Sequence, residues 1–185
     1  MIRTRLVMCC AAMMMVTLTL PAGAVFSGTD VFLPSVGIGS GSGSSYWYTT
    51  VWVHNPGSAA VDVQFQFLER GRSNATPSAV YNETIPAGDT RRYPNAMDTI
   101  FGIRDRKFGA IRVVSSDKVV VNSRIYSKVQ NGPEEDSVGQ FFAAVPASFA
   151  IGPGERTTLL GAYQTSPTAD SDYRYNFGFV ETAGE

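Results

Sequence analysis

Between residues 61 and 67 the chain reads Val-Asp-Val-Gln-Phe-Gln-Phe, apolar at every odd position and polar at every even one. Strict alternation is the signature of a strand with one buried face. It places Val61, Val63, Phe65 and Phe67 inward and Gln64 and Gln66 outward. The stretch before it, "YWYTTVWVH" (46–54), carries large residues at both parities. Trp47, Val51 and Val53 on the core face would leave Tyr48 and Trp52 together on the opposite face, about 13 Å apart at ordinary strand rise. "NPG" (55–57) reads as a turn between these two strands.

Shorter strands are predicted at "DVFLPSV" (30–36), "AVYNETI" (79–85), "TRRY" (90–93), "QFFAAVPASFA" (140–150) and "RTTLLGAYQ" (156–164). "FGAIRVVSSDKVVVNSRIYSKV" (108–129) reads as a hairpin of two β-branched runs, Ala110–Val114 and Val119–Tyr126, around the turn "SSDK". The predicted core is Trp47, Val51, Val53, Val61, Val63, Phe65, Phe67, Ile111, Val113, Val119, Val121 and Ile125. One short helix fits "PNAMDTIFG", with Asn95 as cap, Asp98 in the first turn and Gly102 at the end. "GIGSGSGSS" (37–45) has the composition of a flexible linker. Short strands at even spacing with Gly and Pro turns predict an all-β, antiparallel, Ig-like two-sheet sandwich over residues 28–148.

Residues 149–185 are expected to add strands resembling the start of a second repeat. "YRYNFGFVETAG" (173–184) aligns with "WYTTVWVHNPGS" (47–58). In one register Trp47, Thr49, Val51 and Val53 match Tyr173, Tyr175, Phe177 and Phe179. A register one residue over pairs Tyr46 with Tyr173, and a one-residue slip exchanges the faces.

The first 24 residues read as a cleavable signal peptide: Arg3 and Arg5, an apolar run from Leu6 to Leu20, Pro21, then Ala22-Gly23-Ala24. The run is shorter than the roughly 20 residues that span a bilayer. Cleavage after Ala24 would remove both cysteines, Cys9 and Cys10, and leave Met97 as the last methionine. The expected product is secreted or periplasmic and has no thiol for a disulfide or a cysteine metal site. The whole chain has a formal net charge of −1, and losing Arg3 and Arg5 makes it more acidic, which gives no electrostatic case for nucleic acid.

Three sequences taken together, "YWYTTVWVHNPGSAAVDVQFQFLERG", "TIPAGDTRRYPNAMDTIFG" and "FGAIRVVSSDKVVVNSRIY", resemble a β-sandwich repeat module of secreted soil bacteria that has no established activity. The strand order is more distantly similar to the sensory rhodopsin transducer family, whose small β-sandwich forms oligomers and serves as a binding or signalling module. The resemblance covers roughly residues 30–145 and implies a fold class without catalytic residues. A signal peptide departs from the cytosolic transducer.

Few residue patterns suggest chemistry. His54 is the single histidine, and no nucleophile elbow accompanies it. "PEEDS" (133–137) and Asp170-Ser171-Asp172 are acidic loops without a calcium-loop spacing. "RDRK" (104–107) with Arg91 and Arg92 is a candidate basic patch. No catalytic residue, metal ligand or cofactor is expected. The expected function is an exported, non-catalytic module with a structural, adhesive or protein-binding role, its partner another protein or a second copy through strand pairing. The alternative is a carbohydrate-binding module that holds a glycan on Tyr48 and Trp52.

Overall fold

The computed structural model describes residues 26–41, 44–129, 132–161 and 178–183. The chain is all-β and antiparallel. Among the described residues its strands are β1 (Ser27–Ser40), β2 (Ser45–His54), β3 (Val61–Glu69), β4 (Ala79–Ile85), β5 (Thr90–Tyr93), β6 (Lys107–Val129), β7 (Val138–Ala143) and β8 (Val145–Pro146), with a helix, α1 (Ala96–Phe101), before β6. They form one hydrogen-bonded network in the order β4-β3-β6-β1-β2-β5, with β2 and β7 also on β6 and β8 on β1.

The organising element is β6. "SSDK" does not turn it into a hairpin; it is a single strand of 23 residues. Its first half lies between β3 and β1, with Val113 opposite both Phe65 and Val31. Its second half lies between β2 and β7, with Arg124 opposite both Thr50 and Phe141. Between the halves, β1 pairs Asp30 with Val114 and then Gly28 with Val119, so residues 115–118 bulge relative to β1, although Ser115 still lies opposite Val63 of β3. The two-residue hairpin turns need positive φ and favour Asn or Gly. "SSDK" offers neither, and among the described non-glycine residues only Asn95 and Arg106 have positive φ.

The β3–β4 half faces the β2–β5 half across one core. Phe65 on β3 meets Tyr93 on β5 edge-on, with ring centroids 5.2 Å apart, although these strands are not neighbours in the network. Val61, Val63, Phe65 and Phe67 are buried while Gln64 and Gln66 are not, so the alternation sets the register correctly. Val51, Val53, Ile111, Val113, Val119 and Val121 are buried as expected. Trp47 and Ile125 are corrections, since both are only half-buried. They lie where the core face turns polar, beside Thr49, Ser123 and Ser127. In their place the cluster takes Val31, Leu33, Val36 and Ile38 from β1, Ile85 from β4 and Met97 from α1.

The first residues of the supposed linker, 37–40, also prove to be strand. Gly37 makes room for a ring there: a Cβ would sit 2.2 Å from Phe108, so any side chain would have to displace that ring. Thr49 fixes Gly37 by accepting from its N–H at 2.8 Å and donating to its carbonyl at 3.0 Å. Helix α1 begins as placed but without a side-chain cap, Asn95 being left-handed with φ 46°. Asn55, read only as a turn residue, is fully buried. Its amide donates to the carbonyls of Ala59 (2.8 Å), Ile85 (3.0 Å) and Pro86 (3.1 Å), and its side-chain oxygen accepts from Gly57 N–H. One side chain thus ties the β2–β3 loop to the β4–β5 turn.

No strand occurs among the described residues after Pro146. Residues 156–161, the described part of the strand expected over 156–164, are exposed and irregular, with Leu160 86% accessible; in the stretch 178–183 Phe179 is 90% accessible. The signal peptide, the second acidic loop and half of the repeat-like segment (173–177 and 184) lie outside the described residues.

Candidate functional site

Tyr48 and Trp52 do share one face of β2, opposite the Val51–Val53 face. Both are half-buried. Neighbouring strands bring five further groups to this face. Tyr126 stands directly across from Tyr48, Asn122 across from Trp52, Arg124 across from Thr50, and Phe141 of β7 across from Arg124. Arg92 of β5 stands across from Trp52 on the other side.

Aromatic rings and cations alternate over this surface. Tyr48 stacks on Tyr126 at 5.7 Å with 24° between the planes and meets Tyr46 at 5.1 Å. Arg124 lies 4.9 Å above the Tyr126 ring and 5.9 Å from Phe141. Phe141 contacts Trp52 at 5.9 Å, Arg92 lies 5.9 Å from Trp52, and Lys128 Nζ sits 5.0 Å over Tyr48. Such cation–ring contacts each contribute about 0.5–1 kcal/mol where exposed.

The acidic loop closes one end of the surface. Arg92 donates to both Glu134 carboxylate oxygens at 3.1 and 3.2 Å. Arg124 donates to Ser137 Oγ at 2.8 Å and to its carbonyl at 3.2 Å, and Lys128 donates to the Gly132 carbonyl at 2.7 Å. Tyr126 is buried as a result, at 3% exposure. Burial pushes its phenol up, with Thr50 acting against the shift. Gly139, opposite Tyr126, admits no side chain, since a Cβ would lie 2.4 Å from the Ile125 carbonyl oxygen. At the far end Tyr46 donates to Asp105 Oδ1 at 2.7 Å, and its phenol is pushed up to about 12, by burial first and then by Asp105.

The other sequence candidates separate from this face. His54 Nδ1 lies 3.1 Å from the Asp89 carbonyl and 2.9 Å from Thr90 Oγ1, joining β2 to the β4–β5 turn. The basic patch does not form, because each of its cations has its own acid: Arg91 with Glu83 and Asp89, Arg92 with Glu134, Arg104 with Asp98, Arg106 with Asp105, Lys107 with Glu69. Among the described residues no three His, Cys, Asp or Glu side chains gather as a metal site. Sequence reasoning missed Tyr126, Arg124 and Phe141 as members of the face. The signal was present in "NSRIYSK", where Arg124 and Tyr126 share parity, but the hairpin reading gave them no partner strand.

The chain matches no protein-family model and no curated protein. It is similar to a solved structure described as the crystal structure of Thermotoga maritima 1070, at 13% identity and a TM-score of 0.48, over 64% of this chain and 94% of that one. No described helix is long and apolar enough to cross a membrane.

Proposed function

We propose that the chain is an exported, non-catalytic Ig-like module with a structural, adhesive or protein-binding role. The observation that carries this reading is how the aromatic face is occupied. Tyr48 spends its ring on Tyr126, and Arg92, Arg124 and Lys128 spend their donors on the chain's own 132–137 loop. A sugar platform needs an open ring and free donors beside it. What stays exposed beside it is apolar and lies on β7: Phe141 is 66% accessible on this face, and Val138, on the strand's other face, 73%. Exposed apolar groups at a strand edge suit contact with another protein surface.

Export rests on the pattern of residues 1–24. Protein recovered from outside the inner membrane of a bacterial host is expected to begin at Val25 on N-terminal sequencing. The same protein on a glycan array is expected to give no saturable signal. A signal that disappears in Trp52→Ala with folding intact would replace this reading with the carbohydrate-binding one.

A further inference from the structure

We infer that β7 is a self-recognition edge, and that two copies of this chain pair their β7 strands antiparallel about a two-fold axis with Phe141 facing Phe141 of the other copy. The inference rests on the protein-binding reading and names the partner.

An unpaired edge strand is a template for another strand, and proteins ordinarily blunt such edges with charge, proline or brevity. The other edges here are blunted. β5 has four residues, two of them Arg91 and Arg92. β8 has two residues and ends in Pro146. β4 carries Glu83 between Pro77 and Pro86. By contrast β7 reads Val-Gly-Gln-Phe-Phe-Ala, with no charge and no proline. Among the described residues it pairs with β6 alone.

The direction of its hydrogen-bonding groups follows from one bond. Ala144 N–H donates to the Val121 carbonyl at 2.9 Å, which makes Val121–Ala144 a hydrogen-bonded pair of the antiparallel ladder. Such pairs alternate, so residues 142, 140 and 138 also bond to β6. The N–H and C=O groups of Gly139, Phe141 and Ala143 therefore point away from β6, toward the free edge. These residues also share the face of Arg124 and Tyr126.

That edge is complementary to itself. With Phe141 opposite its equivalent, Gly139 falls opposite Ala143 of the other copy, and every outward N–H meets an outward C=O. The large ring is flanked by small residues on both sides, so a cross-strand aromatic pair forms without crowding. The row Trp52–Phe141 then continues across the axis. Charge placement favours the same direction. Glu134, Glu135 and Asp136 precede β7; antiparallel pairing sends the two acidic loops to opposite ends, whereas parallel pairing would set them side by side. A two-fold arrangement also closes, leaving no further free β7 edge to propagate.

The test is sedimentation of the purified chain from low to high micromolar concentration. The wild type is expected to shift from monomer to dimer. Phe141→Lys places like charges opposite one another and should weaken the dimer by about tenfold or more. Ala143→Pro removes an outward N–H that makes no bond to β6, and should do the same. Val80→Lys, at an exposed apolar position on the β4 edge, should leave the dimer intact. Backbone exchange in the wild type adds a readout that needs no variant: the amides of Gly139, Phe141 and Ala143 should slow at high concentration. A wild type that stays monomeric with concentration-independent exchange at these amides overturns the inference, as does a dimer indifferent to both β7 variants. Either result leaves the broader reading to the glycan array, which tests it separately.

Discussion

The two halves of the core are built by different rules. The β3–β4 half, with the first part of β6, alternates, and its inward side chains are mostly large and apolar, Glu83 being the charged exception. The half made by β2, β5, β7 and the second part of β6 carries aromatic residues on both faces. On its core face Val51 and Val53 give way to Thr49, Ser123 and Ser127. On its other face Thr50 and Tyr126 are buried, and among the described residues the cover there comes from side chains and the 132–137 loop. One half is therefore held by transfer of apolar surface, and the other by many small polar and ring contacts.

The sharpest way to break that contrast is to truncate one large residue in each half. Phe65→Ala removes a fully buried ring and should cost about 3–5 kcal/mol of unfolding free energy. Trp47→Ala removes a larger but half-exposed ring and should cost less than half as much. Urea unfolding of the two variants checks both. Equal losses would mean that the aromatic half contributes core packing after all.

The clean half was legible in the sequence because strict alternation leaves one register. Phe65, Phe67 and the outward glutamines came directly from it. The second half was not, because Trp47 and Tyr48 are both large and parity alone does not say which is covered. Tyr48 and Trp52 were found by parity, but their partners on β6, Tyr126 and Asn122, lie 78 and 70 residues away. The long β6 escaped for a similar reason. A polar interruption looks the same in sequence whether the chain reverses there or bulges and continues, and only the strands on either side decide. Asn55 was read as a turn residue because its role depends on carbonyls at Ile85 and Pro86.

Asn55 offers the next largest effect, since it fastens the two halves at one end. Asn55→Ala leaves three carbonyls and the Gly57 N–H without their partner. The expected loss is about 2–3 kcal/mol, from buried groups left unbonded more than from the bonds themselves. Asn55→Asp keeps the acceptor for Gly57 and replaces the donor with a carboxylate facing carbonyls, so it should rescue nothing. If thermal unfolding shows Asn55→Asp at wild-type stability, the donor role is wrong.

Alkaline pH probes the phenols that join the halves. Tyr93 donates to Glu83 at 2.8 Å, linking β5 to β4. Burial and that carboxylate push its phenol well above the usual range, and Tyr46 is pushed up to about 12. Ionisation is harder in the folded state than in the unfolded one, where tyrosine titrates near about 10. The stabilisation is therefore whole below pH ~10 and is lost as the pH rises from there through the folded values. Unfolding midpoints measured at rising pH should fall above pH ~10. The fall should be shallower in Tyr93→Phe, measured against that variant's own neutral-pH value. An unchanged slope would show that Tyr93 does not carry the alkaline sensitivity.

The smallest effect expected is at the loop that covers the aromatic face. Arg92 and Glu134 are about half and one-third exposed, with side-chain accessibilities of 47% and 36%. An ion pair this open contributes about 0–1 kcal/mol and is screened by salt. Glu134→Gln should therefore leave the unfolding midpoint nearly unchanged. Its consequence should be local: with the carboxylate gone, the 132–137 loop holds Arg92 less firmly and water reaches Trp52 more often. Trp52 is one of two tryptophans, so the measurement is fluorescence quenching by a neutral quencher in a Trp47→Phe background. Glu134→Gln should raise the quenching constant at low salt, and the difference from the parent should shrink as salt is added. If Glu134→Gln leaves quenching at the parent's value even at low salt, the loop is held through Ser137 and Gly132 alone, and the charge pair contributes nothing to the cover.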